Sequence, residues 1–262
     1  MTDLALAVCS EMVFTDLPLI DRVRRIDDLG FAVEIWSWHD KDLDALAATG
    51  ARFSSMTGYL HGDLVDRASA DEVVRTAELS IKAAQTLGVP RLNLHTAELV
   101  DGTAARPRNR ATGEMWLTAQ RTLARLGELG EAADVTFCVE NLNTIVDHPG
   151  VPLARAKDTL ALVEGVGHPN VRMMLDLYHA QIGEGNLIEL IRRCGDAIGE
   201  IQVADVPGRC EPGTGEINYP AIAKALAALG YRGTVGLEAW PSGDDELALE
   251  RFRAAFTLPA AG

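Results

Sequence analysis

The chain has 262 residues, of which 47% are hydrophobic and 24% charged, a composition that suits a soluble globular protein with a sizeable core. Its formal net charge of −14 repels phosphate backbones and anionic headgroups, so neither a nucleic-acid nor a membrane partner is expected. No run approaches the roughly 18 apolar residues of a membrane span, the start MTDLALAVCSEM has no basic segment, and Cys9, Cys138, Cys194 and Cys210 lack CxxC spacing, which together predict a cytoplasmic protein with reduced thiols.

Along the chain one unit recurs: a helical stretch, a glycine near its end, then a short apolar run closed by a polar or charged residue. The first run is LALAV. RRIDDLG then leads into FAVEIW, LAATG into ARFSSM, AAQTLG into VPRLNLH, and GELGEAAD into VTFCVE. EGVGHPN leads into VRMMLD, RRCGDAI into GEIQVAD, and AALGYRG into TVGLEAW. Between the runs, Val73, Val74, Ala77, Ile81, Ala84 and Leu87 keep helical spacing over 73–88, as do Ile222, Ala225, Leu226 and Leu229 over 220–229. Gly30, Gly50, Gly88, Gly130 and Gly230 suit the left-handed position that ends a helix. Apolar strands without clean alternation predict a parallel sheet covered on both faces. Eight strand–helix repeats in a chain of this size predict a single (β/α)8 TIM barrel domain over 1–262. An open doubly wound sheet is the alternative, but no run is followed by G-x-G-x-x-G, and no nucleotide cofactor is expected. The longest loop is expected at 101–113, around the arginines of ARPRNRATG, with Pro259–Gly262 as a frayed tail.

Barrel enzymes carry their chemistry at the C-terminal ends of strands. The fourth run ends at His95, the fifth at Glu140 and the sixth at Asp176; the seventh offers Gln202 and the eighth ends at Glu238. Carboxylates converging there raise one another's pKa unless a cation neutralises them. Oxygen donors without a thiolate suit Mg²⁺ or Mn²⁺, with Co²⁺ tolerated, and such an ion stabilises a developing enediolate. The plainer alternative is that each acid caps the helix that follows it.

VENLNT (139–144), MLDLYHAQ (174–181), IQVADVPGRCEPGTGEINY (201–219) and GLE (236–238) resemble the hydroxypyruvate isomerase family. That family lies within the xylose isomerase-like barrel superfamily, beside ketose 3-epimerases, 2-oxo-tetronate isomerases and endonuclease IV. The resemblance implies a divalent metal held by Glu140, Asp176, Gln202 and Glu238, with Glu140 and Glu238 also moving the proton. It implies that His179 and Arg209 hold substrate oxygens. On this reading the Pro/Gly framework of 207–215 fixes a loop from which the planar fork of Arg209 reaches over the site; a surface ion pair with Glu211 is the alternative. Glu211 is expected to orient Arg209 or bind a substrate hydroxyl, and Glu216 to cap the next helix. His95 is expected to be a hydrogen-bonding group of the pocket, with metal ligation as the alternative. Trp240 is expected as a pocket wall, with packing as the alternative for it, Trp36 and Trp38. His61 is placed in a lid after the third strand, and His39, His148 and His168 in loops.

The activity implied is a metal-dependent isomerisation of a small hydroxy-keto acid or ketose through a cis-enediolate. Aldose–ketose isomerisation of the hydroxypyruvate isomerase kind comes first, and 3-epimerisation or 2-oxo-tetronate isomerisation would use the same residues, as would a lyase or dehydratase. An endonuclease IV-like phosphodiesterase wants a histidine and an Asp-x-His pair in the seventh-strand region, where this chain has Gln202 and GTGEINY. A barrel that only binds would not need the intact set of donors. Association into a homo-oligomer is a further implication of the resemblance.

Overall fold

Each of the eight apolar runs forms a strand: β1 (Ala5–Cys9), β2 (Ala32–Ile35), β3 (Phe53–Thr57), β4 (Arg91–Leu94), β7 (Thr136–Glu140), β8 (Val171–Asp176), β9 (Ile198–Val203) and β10 (Thr234–Leu237). In the computed structural model, which describes residues 4–108 and 110–257, they close a barrel in the order β1-β10-β9-β8-β7-β4-β3-β2, every pair parallel. The tail expected at Pro259–Gly262 lies outside the described residues. A short antiparallel pair, β5 (Leu99–Val100) and β6 (Thr103–Ala104), stands outside the barrel.

The helices are α1 (Leu19–Asp28), α2 (Leu43–Ala47), α3 (Ala70–Leu87), α4 (Gly113–Ala133), α5 (Ala156–Val166), α6 (Leu177–Gly183), α7 (Leu187–Cys194), α8 (Tyr219–Ala228) and α9 (Asp245–Phe256). Local chemistry starts several of them. Asp42, Thr112, Asn218 and Asp244 each accept a hydrogen bond from the backbone N–H three residues on, which satisfies a donor the helix leaves free. Gly30, Gly50, Gly88 and Gly230 have positive φ as expected. Gly130 does not: it lies inside α4, and Asp134 takes the left-handed cap. A Cβ on Gly130 would stand 2.7 Å from the carbonyl oxygen of Val135, so close packing explains this glycine.

The apolar core is the shell between strands and helices, where Val33, Leu92, Phe137, Ile201 and Phe252 are buried. The inner face of the barrel is different. Ser55, Arg91, Asn93, Glu140, Glu200 and Gln202 bond to one another or to neighbours across it. Segment 101–113 is not one long loop, because β6 occupies part of it and α4 begins at Gly113; the spans 141–155 and 204–218 are longer. Two of its arginines hold the loop after β3, with Arg106 Nε 2.8 Å from Asp63 Oδ2 and Arg108 Nη2 3.4 Å from Asp66 Oδ2. Cys9, Cys138 and Cys194 are buried free thiols and Cys210 is half-buried. No described helix is long and apolar enough to cross a membrane.

Candidate active site

The loop after β9 is built around Asp205, which is fully buried. Its Oδ1 accepts from the N–H of Val206 at 2.9 Å and of Ile217 at 3.0 Å, and its Oδ2 from that of Gly213 at 2.9 Å. Asp205→Ala would leave these backbone donors without their acceptor, each worth about 1–3 kcal/mol when unsatisfied. We expect it to cost about 3 kcal/mol in urea denaturation. The loop brings Arg209 inward in a left-handed conformation (φ 54°). Its guanidinium lies 5.1 Å above the Tyr178 ring, and Nη2 donates to Glu238 Oε2 at 2.9 Å. Arg209 is therefore not the surface partner of Glu211.

Glu211 neither orients Arg209 nor faces the cavity. It is buried against α9, where it accepts from the Ser242 N–H and hydroxyl, each at 2.8 Å, and from Arg251 Nη1 at 2.7 Å. Glu216 is not the cap of α8; Asn218 is, and Glu216 Oε1 accepts from Gln181 Nε2 at 3.0 Å. Trp240 is 44% exposed and is not among the described residues lining the cavity; its backbone N–H donates to the Arg209 carbonyl at 2.9 Å. The indole that lines it is Trp36, whose Nε1 donates to Glu238 Oε1 at 2.6 Å. Trp38 packs instead, with Nε1 3.0 Å from Ser80 Oγ.

These groups border a cavity of about 710 Å³ at the C-terminal mouth of the barrel, with Trp36, Tyr59, His95, Glu140, Arg209 and Glu238 in its wall. His39, His61 and His148 also face it, and His61 Nδ1 is paired with Glu98 Oε1 at 3.0 Å. Glu140 Oε2 accepts from Asn93 Nδ2 at 2.6 Å and lies 3.1 Å from His95 Nε2, so His95 is placed as a hydrogen-bonding group. Burial, with Glu238 adding to it, pushes the Glu140 carboxyl up to about 8. Burial and the neighbouring Glu140 raise Asp176 well above the usual carboxylate range. Burial lowers His95 to about 4 and, with Arg209 adding to it, keeps His179 neutral.

Asp176 plays the cap and faces the site as well: its Oδ1 accepts from the His179 N–H at 2.7 Å, and its Oδ2 is 3.8 Å from His179 Nε2. The His179 tautomer follows from Asn143. Asn143 Oδ1 accepts from the N–H groups of Val146 and Asp147, so its amide nitrogen is the atom 2.7 Å from His179 Nδ1. Nδ1 therefore accepts, and the ring proton sits on Nε2. That Nε2–H is buried without a partner, 3.9 Å from Glu140 Oε1, a donor ready for a substrate oxygen.

Glu140, Asp176 and His179 each offer an atom within 4.8 Å of the others. Gln202, beside Asp176 in register, has a buried carbonyl oxygen, Oε1, with no partner. Buried acids whose pKa values are raised, next to an orphaned carbonyl oxygen, fit a divalent cation. Glu238 is not in the close cluster, since both its oxygens are held by Trp36 and Arg209. Reading the sequence left Trp36 between pocket and packing, put Trp240 forward as the wall, and missed Asn93, Asn143 and Glu34. Only Asn143 carried a signal, as the last asparagine of the VENLNT motif.

Residues 21–255 match the family model described as xylose isomerase-like TIM barrel. The chain belongs to that family. Relatives similar to it include the hydroxypyruvate isomerase of Escherichia coli, 33% identical over 65% of this chain and 63% of that one. The chain thus spans under two thirds of that relative. The 2-oxo-tetronate isomerase of Haemophilus influenzae is 29% identical over 92% of this chain and 95% of that one. Among solved structures, an AP endonuclease, family 2, from Brucella melitensis superposes with a TM-score of 0.85, at 27% identity, over 96% of this chain and 99% of that one.

Proposed function

We propose that the protein is a divalent-metal-dependent isomerase of a small hydroxy-keto acid or ketose. The observation that carries this is the pairing of two glutamates on one cavity: Glu140, a buried carboxyl held near 8, and Glu238, gripped by Trp36 and Arg209. Two carboxyls in such different surroundings suit proton removal by one and proton return by the other. The names of the E. coli and H. influenzae relatives support the same reaction class.

Glu140, Asp176 and Gln202, joined by Glu238 once an oxygen of it is released from Trp36 or Arg209, would hold the cation, Mg²⁺ or Mn²⁺ with Co²⁺ tolerated, which supplies polarisation of the substrate carbonyl and stabilisation of negative charge on its oxygens. The protein's own groups do the rest. Arg209 and the Nε2–H of His179 bind and orient substrate oxygens. One glutamate takes the proton from the carbon beside the carbonyl, leaving a cis-enediolate. Return of a proton to the neighbouring carbon gives isomerisation, and return to the opposite face of the same carbon gives epimerisation.

The test is proton exchange followed by NMR, with Mn²⁺-loaded protein in D₂O and a panel of hydroxy-keto acids and ketoses. Label is expected beside the carbonyl, lost with EDTA, and the product formed distinguishes isomerase from epimerase. Exchange that persists in EDTA would remove the metal from the proposal. An abasic-site duplex is expected to stay intact under the same conditions; nicking would favour the endonuclease reading.

Glu140 also sets a pH dependence. A carboxyl raised in the folded state contributes stability that is full below its unfolded value and lost as pH rises through the folded one, here about 8. His95, lowered to about 4, acts in the opposite direction at the acid end. Between about pH 6.5 and 8.5 the melting temperature of EDTA-treated protein is therefore expected to fall as pH rises. Mn²⁺, whose binding needs the carboxylate, is expected to bind more tightly over the same window and to cancel the fall.

A further inference from the structure

Glu34 takes no part in the chemistry above, yet it is a buried acid in the middle of β2. It lies against the side chain of Gln202. Gln202 Nε2 donates to Glu34 Oε1 at 3.0 Å and to Glu200 Oε1 at 3.2 Å, so both amide protons are used inside the barrel. Gln202 Oε1 is left buried and without a partner. Glu200 is itself fixed, by Arg91 and by the Ser55 hydroxyl at 2.8 Å, and Arg91 reaches on to Thr234. The column is anchored at its foot.

The adjacent strand makes room for it. Gly236 is the register partner of Gln202. A Cβ there would overlap Glu34 Oε1 and stand 2.6 Å from Gln202 Oε1. The two ends of an amide differ little in size, and only their partners decide which way it points. Turned over, this amide would set its oxygen against two carboxyl groups.

We propose that Glu34 is a positioning residue, which with Glu200 turns the Gln202 amide so that Oε1 faces the cation. The inference rests on the metal reading under Proposed function. It adds that the ligand's orientation is set from inside the barrel, by a residue that touches neither cation nor substrate. Partners of this kind typically change metal affinity 10–100-fold when lost.

The test is calorimetric titration of EDTA-stripped protein with MnCl₂, which needs no substrate. Glu34→Met keeps the length of the side chain and removes the acceptor; it is expected to bind Mn²⁺ at least fivefold more weakly than wild type. Glu34→Gln, whose carbonyl oxygen takes over the acceptor, is expected to stay within threefold. If Glu34→Met does not fold, Glu34→Asp replaces it, since the shorter side chain draws the oxygen out of reach of Nε2. A loss below fivefold in that variant, or an equal loss in Glu34→Gln, would overturn the proposal. No uptake of Mn²⁺ by wild-type protein would instead bring down the metal reading itself.

Discussion

Glu140→Gln and Glu238→Gln are each expected to lower kcat of the Mn²⁺-saturated protein by about 10³-fold, within the range that a positioned acid or base supplies; Glu238→Gln also lowers the melting temperature of the metal-free protein, because it removes the charge facing the buried Arg209. The amide keeps most of the local geometry. A glutamine at 140 can still present an oxygen to Asn93 Nδ2, which lies 2.6 Å from Glu140 Oε2. One at 238 can still accept from Trp36 Nε1, now at 2.6 Å. What each loses is the capacity to take up and release a proton. The pair also separates the two steps. The variant lacking the glutamate that acts first neither exchanges substrate with D₂O nor forms product. The variant lacking the one that acts second still exchanges but makes no product. Turnover above about a tenth of wild type in either variant would take that glutamate out of proton transfer.

The barrel was legible because most strands are bounded by features that local chemistry explains: a helix-ending glycine precedes β2, β3, β4, β8 and β10, and a polar residue stands at or just beyond the C-terminal end of most runs. Several of those end residues border the candidate site, since a parallel barrel delivers them to one mouth. The inner face was not legible. Glu34 and Glu200 sit inside runs that read as apolar, and their partners come from strands far away in the chain, as in the bond between Ser55 and Glu200. Loop side chains failed for a related reason. Trp36 and Trp240 look alike in sequence, but only the Trp36 indole lines the cavity, where its Nε1 bonds to Glu238. Glu211 pairs with Ser242 and Arg251 only because α9 packs under the loop. The expectation that His179 holds a substrate oxygen rested on a motif. Its physical basis, a proton kept on Nε2 by Asn143, became visible only in the hydrogen bonds.

Arg209→Met is expected to destabilise the metal-free protein by about 3–5 kcal/mol, the cost of removing one member of a buried ion pair. The side chain is 17% exposed and Glu238, its partner at 2.9 Å, is 16% exposed. Burial works against the charge on Arg209, but Glu238, Asp176, Glu140 and Asp147 around it hold the guanidinium protonated. It is the only lysine or arginine among the described residues lining the cavity. Arg209→Lys restores the charge but not the planar fork that meets Glu238 while stacking on Tyr178, and is expected to recover most of the stability. Two roles are thus combined in one side chain, and Mn²⁺ separates them. If Arg209 serves only as counter-charge, saturating Mn²⁺ restores both the melting temperature and kcat/KM of Arg209→Met. If it also holds a substrate oxygen, the cation restores the melting temperature, while kcat/KM stays about 10²-fold down in both variants. We expect the second result, because the cation can replace the charge of a guanidinium but not its directed donors.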